Sequence, residues 1–274
     1  MSRSPNHSTT GCSMIGIDLA WGSRARSGVA VLDGEGRLLL VESVIADSEL
    51  DEALEPWLAG PCVVGLDAPL IVTNPTGRRP CEALLTKAFA AQHAGCYPSN
   101  TGLAAFADGG RAAAFARRHA LTVDATVPTS DGQRRALEVY PHSTIVALFE
   151  LSRVLAYKVR PHRSVESRRS ELLRLVDLLA TLADPTGALE GYPPLLDPHA
   201  KLAGLRLGVE AAATSAALRR QEDPVDAIVC AYAALLFTHH LTLVIGDAHT
   251  GAIVTPVRKR HLEALAQVSQ VGEA

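Results

Sequence analysis

Aromatic side chains are scarce: Phe, Tyr and Trp make up 4% of the 274 residues. A core built here must be mostly Ala, Leu and Val, and no aromatic run marks a platform for stacking single-stranded bases. Positive charge is not in excess either. Lys and Arg number 26 against 29 Asp and Glu, a formal net charge of −3. That balance argues against a protein that coats long nucleic acid, but not against an enzyme with a local basic groove. The five cysteines, Cys12, Cys62, Cys81, Cys96 and Cys230, include no C-x-x-C pair and are odd in number. A reduced, cytoplasmic setting is therefore expected. Cys81, His93 and Cys96 lie close together, yet they match no strong zinc spacing and no fourth ligand is evident. The longest apolar run, Ala227 to Phe237, is too short to span a bilayer, so no membrane partner is expected. Residues 1–13 are polar, lack the apolar stretch of a signal peptide, and are expected to form a disordered tail.

Apolar residues make up 47% of the chain, enough for a sizeable core. The pattern predicts an α/β fold. Met14 to Leu19, Gly28 to Leu32 and Arg37 to Val44 read as three strands of a meander, with Asp33-Gly34-Glu35-Gly36 as a turn. Asp47 or Ser48 can cap a helix to about Leu58, and Cys62 to Leu66 is a strand covered on both faces. A crossover helix after a meander returns the next strand parallel to the first. Residues 68–135 read as a helical and loop-rich insertion, a rim or lid over the end of that strand. Leu137 to Tyr140 is expected as a fifth strand, Ser143 to Leu151 and Val165 to Leu182 as helices. Lys201 to Arg220 is then expected as one helix and Pro224 to His239 as another. Leu241 to Ile245 and Gly251 to Val257 read as a late hairpin. The expected organisation is one domain over 14–260 followed by a C-terminal tail, 261–274.

Acids sit where these elements stop. Asp18 ends the first strand and Asp67 the fourth, so parallel pairing places both at one end of neighbouring strands. Each could instead serve turn chemistry. Asp223 and Asp226 open the proposed last helix. Capping by Asp223, with Pro224 at the first helical position and Asp226 on the helix dipole, explains both without a metal. The same placement lets Asp226 lean toward the strand-end acids. Glu138, on the proposed fifth strand, is either a further ligand or an outward-facing acid. His142 is a loop histidine or a base. Crowded carboxylates resist ionisation, and a divalent cation reverses that cost. Hard Mg²⁺ or Mn²⁺ prefers oxygen ligands, and two such ions can support phosphodiester cleavage.

The segments Gly16-Ile17-Asp18-Leu19-Ala20-Trp21, Gly65-Leu66-Asp67-Ala68-Pro69-Leu70, Arg78-Arg79-Pro80-Cys81-Glu82, Pro98-Ser99-Asn100-Thr101-Gly102, Glu138-Val139-Tyr140-Pro141-His142 and Asp223-Pro224-Val225-Asp226-Ala227 stand together in this chain. As a set, they resemble the predicted-nuclease family catalogued as domain of unknown function 429, within the ribonuclease H-like superfamily. The resemblance covers roughly Met14 to Val257. It implies a mixed five-stranded sheet of order 3-2-1-4-5 flanked by helices, and metal-dependent phosphodiester hydrolysis. By position it implies Asp18, Asp67 and Asp226 as catalytic acids, with Asp223 as an alternative or additional metal ligand. Glu138 and the Ser99-Asn100-Thr101 loop belong to the narrower family pattern, and the long insertion departs from a minimal nuclease.

Arg153 to Arg174 holds seven cations, Lys158 among them, opposed only by Glu166 and Glu171. This is either a phosphate-binding patch or a solvated helix face. Together with Arg78, Arg79, Ser99, Asn100, Thr101 and His142, Lys158 forms the expected substrate-binding set. The expected activity is a Mg²⁺- or Mn²⁺-dependent nuclease acting on DNA or RNA. Two alternatives stand beside it. An ATPase or phosphotransferase of the actin and sugar-kinase type would need a Gly-rich phosphate hairpin and a second similar domain. A non-catalytic nucleic-acid-binding or scaffold protein would show no metal effect on melting.

Overall fold

Alternation along the first strands sets the architecture. In β1 (Ser13–Asp18), Ile15 and Ile17 point to one face of the sheet, while Met14 and Gly16 point to the other. The computed structural model describes residues 11–20, 22, 25–128, 130, 132–184 and 191–256. The expected tails at 1–13 and 261–274 fall wholly or largely outside those residues, as does Trp21 of the first motif.

β1 pairs antiparallel with β2 (Ser27–Leu32), which pairs antiparallel with β3 (Leu38–Val44). Asp33 closes the second turn by accepting from the Glu35 and Arg37 amides at 3.0 and 2.9 Å. Helix α1 (Asp47–Leu58) crosses back, burying Leu50, Leu54 and Leu58, one stripe at helical spacing. Its first turn is closed by Glu49, whose carboxylate accepts from the Ile45 and Ala46 amides, rather than by Asp47 or Ser48. The crossover delivers β4 (Cys62–Leu66) parallel to β1, with Gly16 opposite Gly65.

Between β4 and the next strand, the insertion carries α2 (Pro80–Ala88) and α3 (Gly110–Arg118). β5 (Arg134–Val139) lies parallel to β4 and starts three residues before the expected position. α4 (Pro141–Leu148), α5 (Val165–Thr181) and α6 (His199–Ala211) follow. The sheet has seven strands rather than the five expected. The hairpin of β6 (Thr242–Asp247) and β7 (Gly251–Pro256) does not stand apart; β7 pairs parallel with β5, giving the order β3-β2-β1-β4-β5-β7-β6. Buried Ile253 and Val254 make β7 fit the open edge of β5.

The last helix also differs from expectation. α7 (Ser215–Thr238) is continuous for 24 residues and runs through Pro224. Its cap is Thr214, whose hydroxyl accepts from the Ala217 amide at 3.1 Å, and the break expected at Pro224 lies instead at 212–214. Pro224 removes one amide donor from the helix ladder, and the residue four positions earlier, Arg220, is exposed.

α7 lies directly on the sheet because glycines admit it. A Cβ on Gly16 would fall 1.9 Å from the Ala227 carbonyl oxygen, and one on Gly28 would fall 2.0 Å from that of Asp223. Helices α1 and α3 cover the opposite face around Ile15, Ile17, Val64 and Leu66.

Candidate functional site

Asp18 ends β1 on the face that α7 covers, in alternation with Gly16. Asp67 follows β4 in the same alternation from Gly65, and its amide donates to the Ile17 carbonyl at 2.9 Å. The two acids therefore share one end of adjacent parallel strands, as the apolar runs predicted. Burial pushes the Asp18 carboxyl up to about 6; Lys158 opposes the shift and Asp226 adds to it. Burial, then the charge of Asp18, raises the Asp67 carboxyl well above the usual range.

The close seat of α7 brings two more acids to the same place. Asp226 is fully buried in the helix interior, one turn beyond Asp223. Neither opens the helix, so the capping role expected for Asp223 is replaced by that of Thr214. Burial and Asp18 push the Asp223 carboxyl up to about 8. Asp226 Oδ1 accepts from the Tyr157 hydroxyl at 2.7 Å. Its Oδ2 receives no well-aligned hydrogen bond and faces the Lys158 ammonium 2.5 Å away. The same ammonium lies 3.5 Å from Asp18 Oδ2. Burial works against the Lys158 charge, but Asp226 and Asp18 outweigh it and hold its pKa well above the lysine range.

Two arginines position this loop. Arg168 is buried; it donates to the Tyr157 carbonyl at 2.9 Å and pairs with buried Glu222 at 2.6 Å. Arg163 donates to the Lys158 carbonyl at 3.1 Å. Among the described residues, no three His, Cys, Asp or Glu side chains stand as a ready metal cage. The Lys158 ammonium takes the place between Asp18 and Asp226.

The other expected residues form a second network. Glu138 lines up with Ala136, on the sheet face opposite Leu137 and Val139. Both of its carboxylate oxygens accept from Arg79, and Oε2 also accepts from the Leu70 amide at 3.1 Å. Arg79 is itself buried and pairs with buried Glu82 at 2.9 Å, so neither Arg79 nor Glu138 is presented to solvent. Arg78 donates to the Cys96 carbonyl at 3.3 Å. The Ser99 amide donates to Glu82, the Asn100 side chain to the Gly77 carbonyl, and the Thr101 hydroxyl to the Asn74 carbonyl. These contacts tie the insertion to itself and to β5. A cavity of about 50 Å³ beside the network is lined by Asp67, Ser99, Glu138 and Tyr140, which connects it to the carboxylates. His142 packs between the Tyr140 and Tyr157 rings, and burial lowers its pKa to about 4, so it is neutral at pH 7.

Sequence reasoning missed Tyr157 as a partner of Asp226. It also missed Arg26, Arg219 and Arg220, which line a groove of about 580 Å³ together with Asp18 and Asp223. A signal for the last two was available. Arg219 and Arg220 precede Asp223 by four and three positions, one helical turn, once α7 is read as continuous.

Comparison with known proteins gives one family. The family described as "Protein of unknown function (DUF429)" matches residues 16–250. No curated protein matches, and neither does any solved structure.

Proposed function

The chain belongs to the DUF429 family, and from that premise we propose that it is a divalent-metal-dependent nuclease of ribonuclease H-like type, hydrolysing phosphodiester bonds in nucleic acid. The observation that carries this reading is the convergence of Asp18, Asp67, Asp223 and Asp226 on one end of the sheet. There the carboxyls whose pKa is shifted are held above their usual range by burial and by one another. The order β3-β2-β1-β4-β5 within the sheet supports the superfamily assignment.

The donor atoms are of the type a hard cation takes, although Lys158 sits between Asp18 and Asp226 and the described acids are not arranged as a cage. The donors are all oxygen, and Asp226 Oδ2 is buried with a single cationic neighbour among the described residues. Asp18, Asp67 and Asp226 would hold Mg²⁺ or Mn²⁺, with Asp223 assisting, in exchange for the Lys158 contact. A bound ion would supply Lewis-acid activation of water and neutralisation of developing negative charge. Tyr157 fixes the rotamer of Asp226 through its hydroxyl. Lys158, paired here with Asp226, would offer its ammonium to a phosphate oxygen, a point charge rather than a bidentate clamp. His142 stays neutral and orders Tyr157 by packing.

Asp18→Asn tests the proposal. We expect it to abolish Mg²⁺- or Mn²⁺-dependent cleavage of oligonucleotides while leaving the fold intact by circular dichroism. Normal cleavage by this variant overturns the assignment.

A further inference from the structure

Cations flank the carboxylates on two sides. On one side, Arg26, Arg219 and Arg220 wall the groove beside Asp18 and Asp223, and all three are exposed. Arg26 has an acidic neighbour in Glu49, but Arg219 and Arg220 form no ion pair with any described residue. Toward Asp67, the Lys158 loop carries Arg163 and Arg160, the latter over the ring of Tyr97, which lines the cavity beside Asp67. Arg163 donates to the Lys158 carbonyl at 3.1 Å, which holds it beside that loop. In a chain of net charge −3 these groups are a local concentration, not a global excess.

Their order follows α7. Arg219 and Arg220 come first, Asp223 lies one turn on, and Asp226 with the Lys158 ammonium comes next. At ~1.5 Å per residue, the arginines stand about 10 Å from Asp226 along the axis, roughly three steps of a nucleic-acid strand at ~3.4 Å each. A single small phosphate has no use for cations at both ends of that span. A repeating polyanion does, because each phosphate paired with an arginine releases condensed counterions. Phosphate contacts of this kind fix register without reading bases.

We infer that the groove between Arg26 and α7 is the track for a phosphodiester backbone, with Arg219 and Arg220 gripping phosphates on one side of the carboxylates and the Lys158 loop doing so on the other. This rests on the proposed nuclease reading for its substrate class, but its test does not depend on cleavage. Binding of a fluorescein-labelled duplex is followed by fluorescence anisotropy in EDTA across a salt series. For Arg219→Ala/Arg220→Ala we expect affinity to fall roughly tenfold or more. The slope of log K against log salt should shrink by about one for each arginine. Arg117→Ala, an exposed arginine on α3, should bind as the parent does.

A double variant that binds like the parent, or a control that loses as much, overturns the track. So does competition by inorganic pyrophosphate that matches the unlabelled duplex phosphate for phosphate. A chain that binds in the expected way but never cleaves overturns the nuclease reading and leaves the track standing. A chain that cleaves and is indifferent to Arg219 and Arg220 overturns the track alone.

Discussion

At the scale of single residues, the charge of Asp18 is held by a balance. Burial lifts its pKa from 3.8 to about 6 against the pull of Lys158, and that of Asp223 from 3.8 to about 8. An acid whose folded pKa is raised binds protons more readily folded than unfolded, so folding is favoured while it is protonated. That contribution is complete below pH 3.8 and is lost as pH rises through about 6 for Asp18 and about 8 for Asp223. In EDTA the melting temperature of the parent should therefore fall from pH 5 to pH 8, and Asp18→Asn should fall less. Differential scanning fluorimetry at the two pH values checks this; parallel curves contradict it. Asp18 and Asp67 were legible in the sequence because each sits where an apolar strand run stops. Tyr157 was not, because it meets Asp226 from a loop 69 positions away, and no local pattern encodes that approach.

At the scale of elements, α7 decides the site, since Asp223 and Asp226 reach the strand ends only because the helix rests on glycine. Gly16→Ala would drive a methyl group into the Ala227 carbonyl, backbone against backbone. We expect it to destabilise the protein by about 1–3 kcal/mol, as overpacking does. Gly204→Ala, on α6 with nothing within 4 Å, should instead be neutral or stabilise by up to ~1 kcal/mol. Urea midpoints for the two variants separate close approach from general glycine loss. The meander, the crossover and the buried fourth strand were readable from period and turn chemistry. The unity of α7 was not, because Asp223-Pro224 imitates a helix start; only the packing of the preceding turn, with Leu218 buried, carries the helix through it. The hairpin β6–β7 was visible as a hairpin, but its docking on β5 depends on an edge that the local sequence does not describe.

At the scale of the whole molecule, two polar networks divide the labour. The Arg79–Glu82–Glu138 cluster joins the insertion to the sheet, and Asp18 and Asp226 gather around Lys158 at the strand ends. Family motifs contribute to both, so motif membership alone could not separate Glu138 from Asp67; strand alternation does. Arg79→Met would strand two buried carboxylates and should cost about 3–5 kcal/mol in guanidinium unfolding. Adding Glu82→Gln and Glu138→Gln to that variant should restore part of the loss. A metal-dependent nuclease needs Asp18, Asp67 and Asp226, distant in sequence, to make one cation site. The most direct measurement is anomalous diffraction from crystals soaked in Mn²⁺. We expect a peak bounded by the carboxylates of Asp18, Asp67 and Asp226, with the Lys158 ammonium displaced from Asp226. Density without such a peak, and with the Lys158–Asp226 pair intact at saturating Mn²⁺, would contradict the nuclease reading.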